Sequence, residues 1–138
     1  MEIGVLTKSN PLQAWMPFGD DCEILIEYVP RSDLQGIYRK ATKTIYKNHQ
    51  KTEEYDQTEG DKLLGRRAVK DWRASPGGKG FVNDGQPFPC TPENVEILMT
   101  KWNEFARFVN DACCSLETLV QQGKEAVEKN SSITSGQS

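Results

Sequence analysis

The chain has 138 residues, with 17 Lys and Arg against 20 Asp and Glu and a formal charge of −3. That length normally makes one domain, able to bury roughly two thirds of the surface its unfolded form exposes. The slight acidity argues against a dedicated nucleic-acid binder, and no apolar run is long enough to span a bilayer or to resemble a signal peptide.

Strands are expected first. Residues 22–29 alternate, with Ile24, Ile26 and Tyr28 on one face and Glu23, Leu25 and Glu27 on the other, the period of a half-buried strand. Residues 3–7 are its candidate partner. Between them Trp15, Met16, Pro17 and Phe18 read as an apolar loop ending in Gly19-Asp20. Such a hairpin is marginal alone and has to pack on a helix or gain a strand.

Pro30 stops the strand, and Ser32 with Gln35 suggests a capping box that opens a helix to about residue 47. Leu34, Ile37, Tyr38, Ala41 and Ile45 share one stripe of it. Residues 48–60 are polar and read as a loop. The next helix is expected over 61–72, with Leu64, Ala68, Val69 and Trp72 inward and Gly65 weakening it by about 1 kcal/mol relative to alanine.

The most tightly written segment follows: Asp71-Trp72, then Asp84-Gly85-Gln86-Pro87-Phe88-Pro89-Cys90-Thr91-Pro92-Glu93-Asn94. Asp84-Gly85 is a turn signal, and Pro87 and Pro89 hold their neighbours extended. Thr91 can cap a helix, with Pro92 at the first helical position and Glu93 against the positive helix end. A short helix over 92–99 carries Val95, Leu98 and Met99 inward. A longer one, 101–128, carries Trp102, Phe105, Val109, Ala112, Leu116 and Leu119 at three-four spacing, one sticky face. Residues 130–138 are Ser/Gly/Gln-rich and read as a disordered tail after a domain spanning 1–129. The fold class expected is α+β, mostly helical with about four helices, plus a small N-terminal antiparallel β-sheet.

Chemistry-bearing constellations are scarce. His49, the one histidine, lies among polar residues with no assignable partner and reads as a surface side chain. Cys22, Cys90, Cys113 and Cys114 lack metal-ligand spacing and read as reduced, passive thiols. In Gly77-Gly78-Lys79-Gly80 the lysine is followed by glycine instead of Ser or Thr, which fails the phosphate-loop pattern. Glu53, Glu54, Asp56 and Glu59 fall where solvent is expected, away from the burial that tunes a catalytic acid. No enzyme activity, cofactor or metal is assigned. Lys62, Arg66, Arg67, Lys70 and Arg73, expected on one helix, and Lys79 after it, form a basic run flanked by Asp61 and Asp71. It reads as a solvated helix face in preference to a nucleic-acid surface.

The tryptophan-bearing helix expected to end in Asp71-Trp72, the short glycine-rich loop, and the Asp-Gly-x-Pro-x-Pro-Cys-Thr-x-Glu-Asn run into a final helical region resemble small tail assembly proteins of tailed phages and prophages. The resemblance is strong over the middle third of the chain and weak over its strand-then-helices order. Arg73-Ala74-Ser75-Pro76 lengthen the loop before Gly77-Gly78 relative to that pattern. The resemblance implies a non-enzymatic tail assembly chaperone in the cytoplasm of a bacterial host, holding the tape-measure protein soluble until tube subunits polymerise around it. Self-association is left open. The alternatives are a structural component of the virion tail and a nucleic-acid-binding regulator using residues 62–79. For protein binding the candidate residues are Trp102, Phe105, Val109 and Leu116, on a stripe that equally describes a domain's own core. Trp72, Asp84, Gly85, Pro87, Pro89, Thr91 and Pro92 form the structural motif, with Trp72 expected to anchor the core through its ring and to find a partner for its indole N–H.

Overall fold

The computed structural model of the protein describes residues 12–115 and 118–121. In chain order the elements are β1 (Gln13–Phe18), β2 (Cys22–Glu27), α1 (Arg31–Ala41), β3 (Thr42–Lys47), β4 (Gln50–Tyr55), α2 (Gln57–Ala68), β5 (Val69–Ala74), β6 (Val82–Asn83), β7 (Gln86–Pro87), α3 (Pro92–Lys101) and α4 (Asn103–Cys114). A further helical stretch covers 118–121. The described residues are 45% helical and 31% strand, in three small sheets. This mixed α/β content overturns the expectation of a mostly helical α+β chain with one N-terminal sheet.

The largest sheet has the order β1-β2-β5, antiparallel throughout. Its first strand occupies the stretch expected to be an apolar loop. Pro17 is tolerated there because β1 is an edge strand, where a missing N–H breaks no ladder. The strand expected over 3–7 lies outside the described residues, as do Leu116 and the tail at 130–138. Met16, Ile24 and Trp72 are cross-strand neighbours, and all three are buried on one face. On the opposite face Arg73 stacks 3.9 Å over the Trp15 ring and donates to Glu23 at 2.8 Å.

Two expected helices end early and turn into strands. α1 stops at Ala41, and Thr42-Lys-Thr-Ile-Tyr-Lys pairs as β3 with β4 in the register Thr42↔Tyr55 to Lys47↔Gln50. β-Branched and aromatic residues favour the strand. The Ile45 position that looks like a further helical step is degenerate with strand alternation. The Asn48-His49 turn, with φ of 51° and 64°, supplies the two positive-φ positions of a primed hairpin turn. The N-cap of α1 is Pro30, with no side-chain cap, so the Ser32–Gln35 box does not form. The base of the hairpin is fixed by Asp56 N–H donating to Ala41 O at 2.8 Å and by the Tyr38 and Tyr55 rings stacked at 4.7 Å.

α2 begins at Gln57, capped by Asp56, whose carboxylate accepts from Glu59 N–H at 3.1 Å. That hydrogen bond, with Lys43 beside it at 3.2 Å, holds the Asp56 carboxyl below its ordinary range. The helix ends at Ala68, and 69–74 are the strand β5, so Trp72 stands on a sheet and not on a helix. A bulge gives this strand a helix-like spacing. Ile26 faces Val69 while Leu25 faces Asp71, leaving Lys70 as the extra residue. Val69 and Trp72 are therefore three apart and both inward, a spacing that imitates a helix.

The helices cover the Ile24–Trp72 face of the sheet. Ile24, Ile26, Val29, Leu64, Ala68, Val95, Met99, Phe105, Val109, Ala112, Cys113 and Leu119 join one buried cluster. α2 and α3 meet at Gly65, where an added Cβ would lie 2.5 Å from Met99 Cγ and 3.0 Å from Val95 Cγ1. Gly65→Ala is accordingly expected to destabilise the protein by about 1–3 kcal/mol despite alanine's better helix propensity. Phe105→Ala, which empties a fully buried site, is expected to cost about 3–5 kcal/mol. Urea unfolding of both variants checks the two values, and an unchanged midpoint for Gly65→Ala would mean that the helices are not packed this closely.

Candidate protein-binding site

Trp72 organises the middle of the chain. Its indole N–H donates to Phe88 O at 2.7 Å, its ring stacks on Phe88 at 6.0 Å with 3° between planes, and its own N–H reaches Asp71 Oδ1 at 2.8 Å. Phe88 is brought there by the β6–β7 hairpin, whose turn is Asp84-Gly85 with φ of 52° and 78°. Pro87 pairs opposite Val82, and Phe88 N–H donates to Phe81 O at 2.9 Å. Pro89 O then accepts from Asn94 Nδ2 at 2.9 Å, Thr91 Oγ1 accepts from Asn94 N–H at 3.1 Å, and Pro92 opens α3. Together these contacts hold a clasp shut.

The clasp presses Phe81 onto the sheet's end and creates an aromatic cluster open on one side. Phe18, at the end of β1, has its ring centroid 5.1 Å from Trp102, 5.6 Å from Phe105 and 6.1 Å from Phe81. Trp102 is the residue between α3 and α4: its N–H closes α3 on Leu98 O at 3.0 Å, and its O accepts from Ala106 N–H at 3.1 Å. Because it sits at this break, its ring lies over Phe105 at 6.2 Å instead of joining the inward face of α4. It remains 38% exposed, and Val82 beside it is 53% exposed.

These side chains floor a cleft of about 420 Å³ whose edge carries Asp20, Asp21 and Glu104. Among the described residues none of the three makes an ion pair. The glycine-rich loop forms one wall by wrapping a backbone carbonyl: Ser75 and Gly80 N–H both donate to Asp21 O, at 2.9 and 3.1 Å. At Gly78 a Cβ would fall 2.6 Å from Asp21 O and 2.7 Å from its Cα, so only glycine lets the loop approach. The loop's glycines thus serve a close backbone contact.

The stripe named from sequence is divided by the fold. Trp102 reaches the surface, Phe105 and Val109 are fully buried, and Leu116 lies outside the described residues. Phe18, Phe81, Val82 and the three carboxylates were missed because they come from separate segments. The one available signal was the exposed-looking Phe18-Gly19-Asp20-Asp21 turn. The basic run does not form one face. Arg66 pairs with Glu96 at 2.6 Å, Arg73 with Glu23 at 2.8 Å, and Arg67 with Glu27 and Asp33, while Lys70 lies 4.0 Å from Glu27. Counter-charges therefore oppose the patch that a nucleic-acid reading would need.

No group of three or more His, Cys, Asp and Glu side chains able to hold a metal ion occurs among the described residues. His49 is exposed at the β3–β4 turn. Cys113 and Cys114 are free thiols with Sγ atoms 3.9 Å apart. Burial raises the Cys113 thiol pKa, with the neighbouring Cys114 adding to the rise, and burial pushes Cys90 up to about 11. No helix among the described residues is long and apolar enough to cross a membrane. Comparison of the chain with models of known protein families, with curated proteins and with solved structures finds no match.

The thiols give a direct check on this packing. Exposed Cys114 is expected to react with a disulfide reagent at about pH 8 at least ~10 times faster than Cys90, with Cys22 and Cys113 reacting only on unfolding. Raised folded-state values also mean that the native state keeps protons the unfolded chain releases, so stability is full below the ordinary thiol value of 9.0 and falls as pH rises through it. Four thiols reacting at one rate would contradict this burial pattern.

Proposed function

We propose that this chain is a non-enzymatic, protein-binding factor of the phage or prophage tail assembly chaperone kind, acting on the tape-measure protein in the cytoplasm of a bacterial host. The observation that carries the reading is the open aromatic cleft of Phe18, Phe81, Val82 and Trp102, bordered by Asp20, Asp21 and Glu104, which make no ion pair among the described residues. A factor that shields a long amphipathic helix needs apolar area to receive one face of that helix and like charges to keep the factor itself from aggregating. Trp102 supplies the large, half-exposed anchor typical of such surfaces. The acidic rim selects segments in which Lys or Arg flank the apolar stripe, and speeds their encounter. Phe105 and Val109 take part indirectly, by supporting the floor from within.

Co-expression with the tape-measure protein encoded nearest to the chain tests the reading. A soluble complex is expected, weakened at least ~10-fold by Trp102→Ala and by the triple change of Asp20, Asp21 and Glu104 to lysine, with the unfolding midpoint of Trp102→Ala little changed. Absence of any complex with the folded chain would overturn the proposal. Recovery of the chain in purified particles would instead favour a structural tail component.

A further inference from the structure

A second cleft, of about 460 Å³, separates α1 from α2 on the flank away from Trp102's contacts. Ile37 and Leu63, both half-buried, form its apolar floor, and Lys40 and Arg66 stand at its edge. One end is closed by Arg67, which bridges the two helices by donating to Asp33 on α1 at 2.8 Å while also pairing with Glu27. Those two carboxylates neutralise Arg67. Lys40 makes no ion pair among the described residues, and Arg66 pairs with Glu96 at 2.6 Å. The side chains that line the cleft carry three cations, Lys40, Arg66 and Arg67, against the one carboxylate of Asp33, so the lining itself has an excess of positive charge.

Gly36 sits in the middle of α1 and lines this cleft. A glycine in a helix interior costs about 1 kcal/mol relative to alanine, so its presence calls for a reason. Gly65 has one inside the fold, since its Cβ would strike Met99. Gly36 has none: a Cβ there would meet no atom within 4 Å, and its φ is not in the left-handed region. Its missing side chain deepens a groove that no other described residue fills. Ser32, Gly36 and Lys40 follow each other at successive turns of α1, so the groove runs along the helix for two turns, a shape that fits a rod more than a compact molecule.

We infer that the α1–α2 groove is a docking site for an acidic amphipathic helix of a partner protein, which lays its apolar stripe on Ile37 and Leu63, approaches closely at Gly36 and sets its carboxylates against Lys40 and Arg66. Close helix approach at glycine is the usual way such a contact gains packing. The charge is opposite to that of the Trp102 cleft, so the two surfaces select different segments, and this inference stands independently of the proposed function.

The test uses the full chain, ¹⁵N-labelled, titrated with a designed helical peptide of about four to five turns bearing a leucine stripe and glutamates elsewhere, and with the same peptide carrying lysines. The acidic peptide is expected to shift the amides of Gly36, Ile37, Lys40 and Leu63 while the lysine peptide leaves them in place. Gly36→Leu is expected to weaken binding at least ~10-fold without lowering the thermal unfolding midpoint, and Gly36→Ala to raise that midpoint while weakening binding less. Lys40→Glu combined with Arg66→Glu is expected to abolish the acidic peptide's effect. Shifts confined to the Trp102 cleft, unchanged affinity in Gly36→Leu, or the same shifts produced by inorganic phosphate alone would each overturn the inference, the last by marking a small-anion site.

Discussion

Burying Trp72 on a sheet while satisfying its indole N–H is the constraint from which the middle of this molecule follows. The ring fits on one face of β5 beside Ile24, but the N–H needs an acceptor, and strand carbonyls point along the plane of the sheet and not toward its face. Phe88 O supplies it at 2.7 Å, which obliges the chain to return across the ring. The Asp84-Gly85 turn and the proline-stiffened run after it are the means of return, and Thr91 starts α3 as soon as the return is complete. The segment is thus closely specified because one buried donor must be paired.

That clasp also fixes where aromatic surface is left over. Phe18, Trp72, Phe81 and Phe105 contact one another edge to face, an arrangement favoured by their ring quadrupoles. Trp102, at the junction of two helices, completes the cluster from outside and cannot be covered by it. The cleft is a by-product of closing the core, and the acidic turn at Asp20-Asp21 gives it a sign. On the other flank a carboxylate buried to 8% exposure, Glu27, is compensated by Arg67 and by Gln13 Nε2 at 2.9 Å. A buried charge without such partners would be costly. Arg67 is consumed in this task and also ties α1 to α2 through Asp33, so the groove between them has a fixed end and a lining in which cations outnumber carboxylates. The two flanks therefore present opposite charge around apolar floors, although the chain as a whole is nearly neutral.

Features that depend on neighbours along the chain are legible before any fold is known. The alternation in Cys22–Glu27, the turn at Asp84-Gly85 and the Thr91-Pro92 helix start are legible because turn chemistry, capping and period two are local rules. Tertiary structure decided the rest. It drew Pro17 into an edge strand, turned 42–47 and 50–55 into a hairpin that helix periodicity and polarity had concealed, and used a bulge at Lys70 to point Val69 and Trp72 inward together. It also divided one three-four stripe, leaving Trp102 at the surface and burying Phe105 and Val109, because a single non-helical residue between α3 and α4 changes the direction of everything after it. Local rules state which conformations a segment accepts. The choice between a helix and a strand of equal amphipathicity is made by the partner strand that completes the hydrogen bonds, and that partner is distant in sequence.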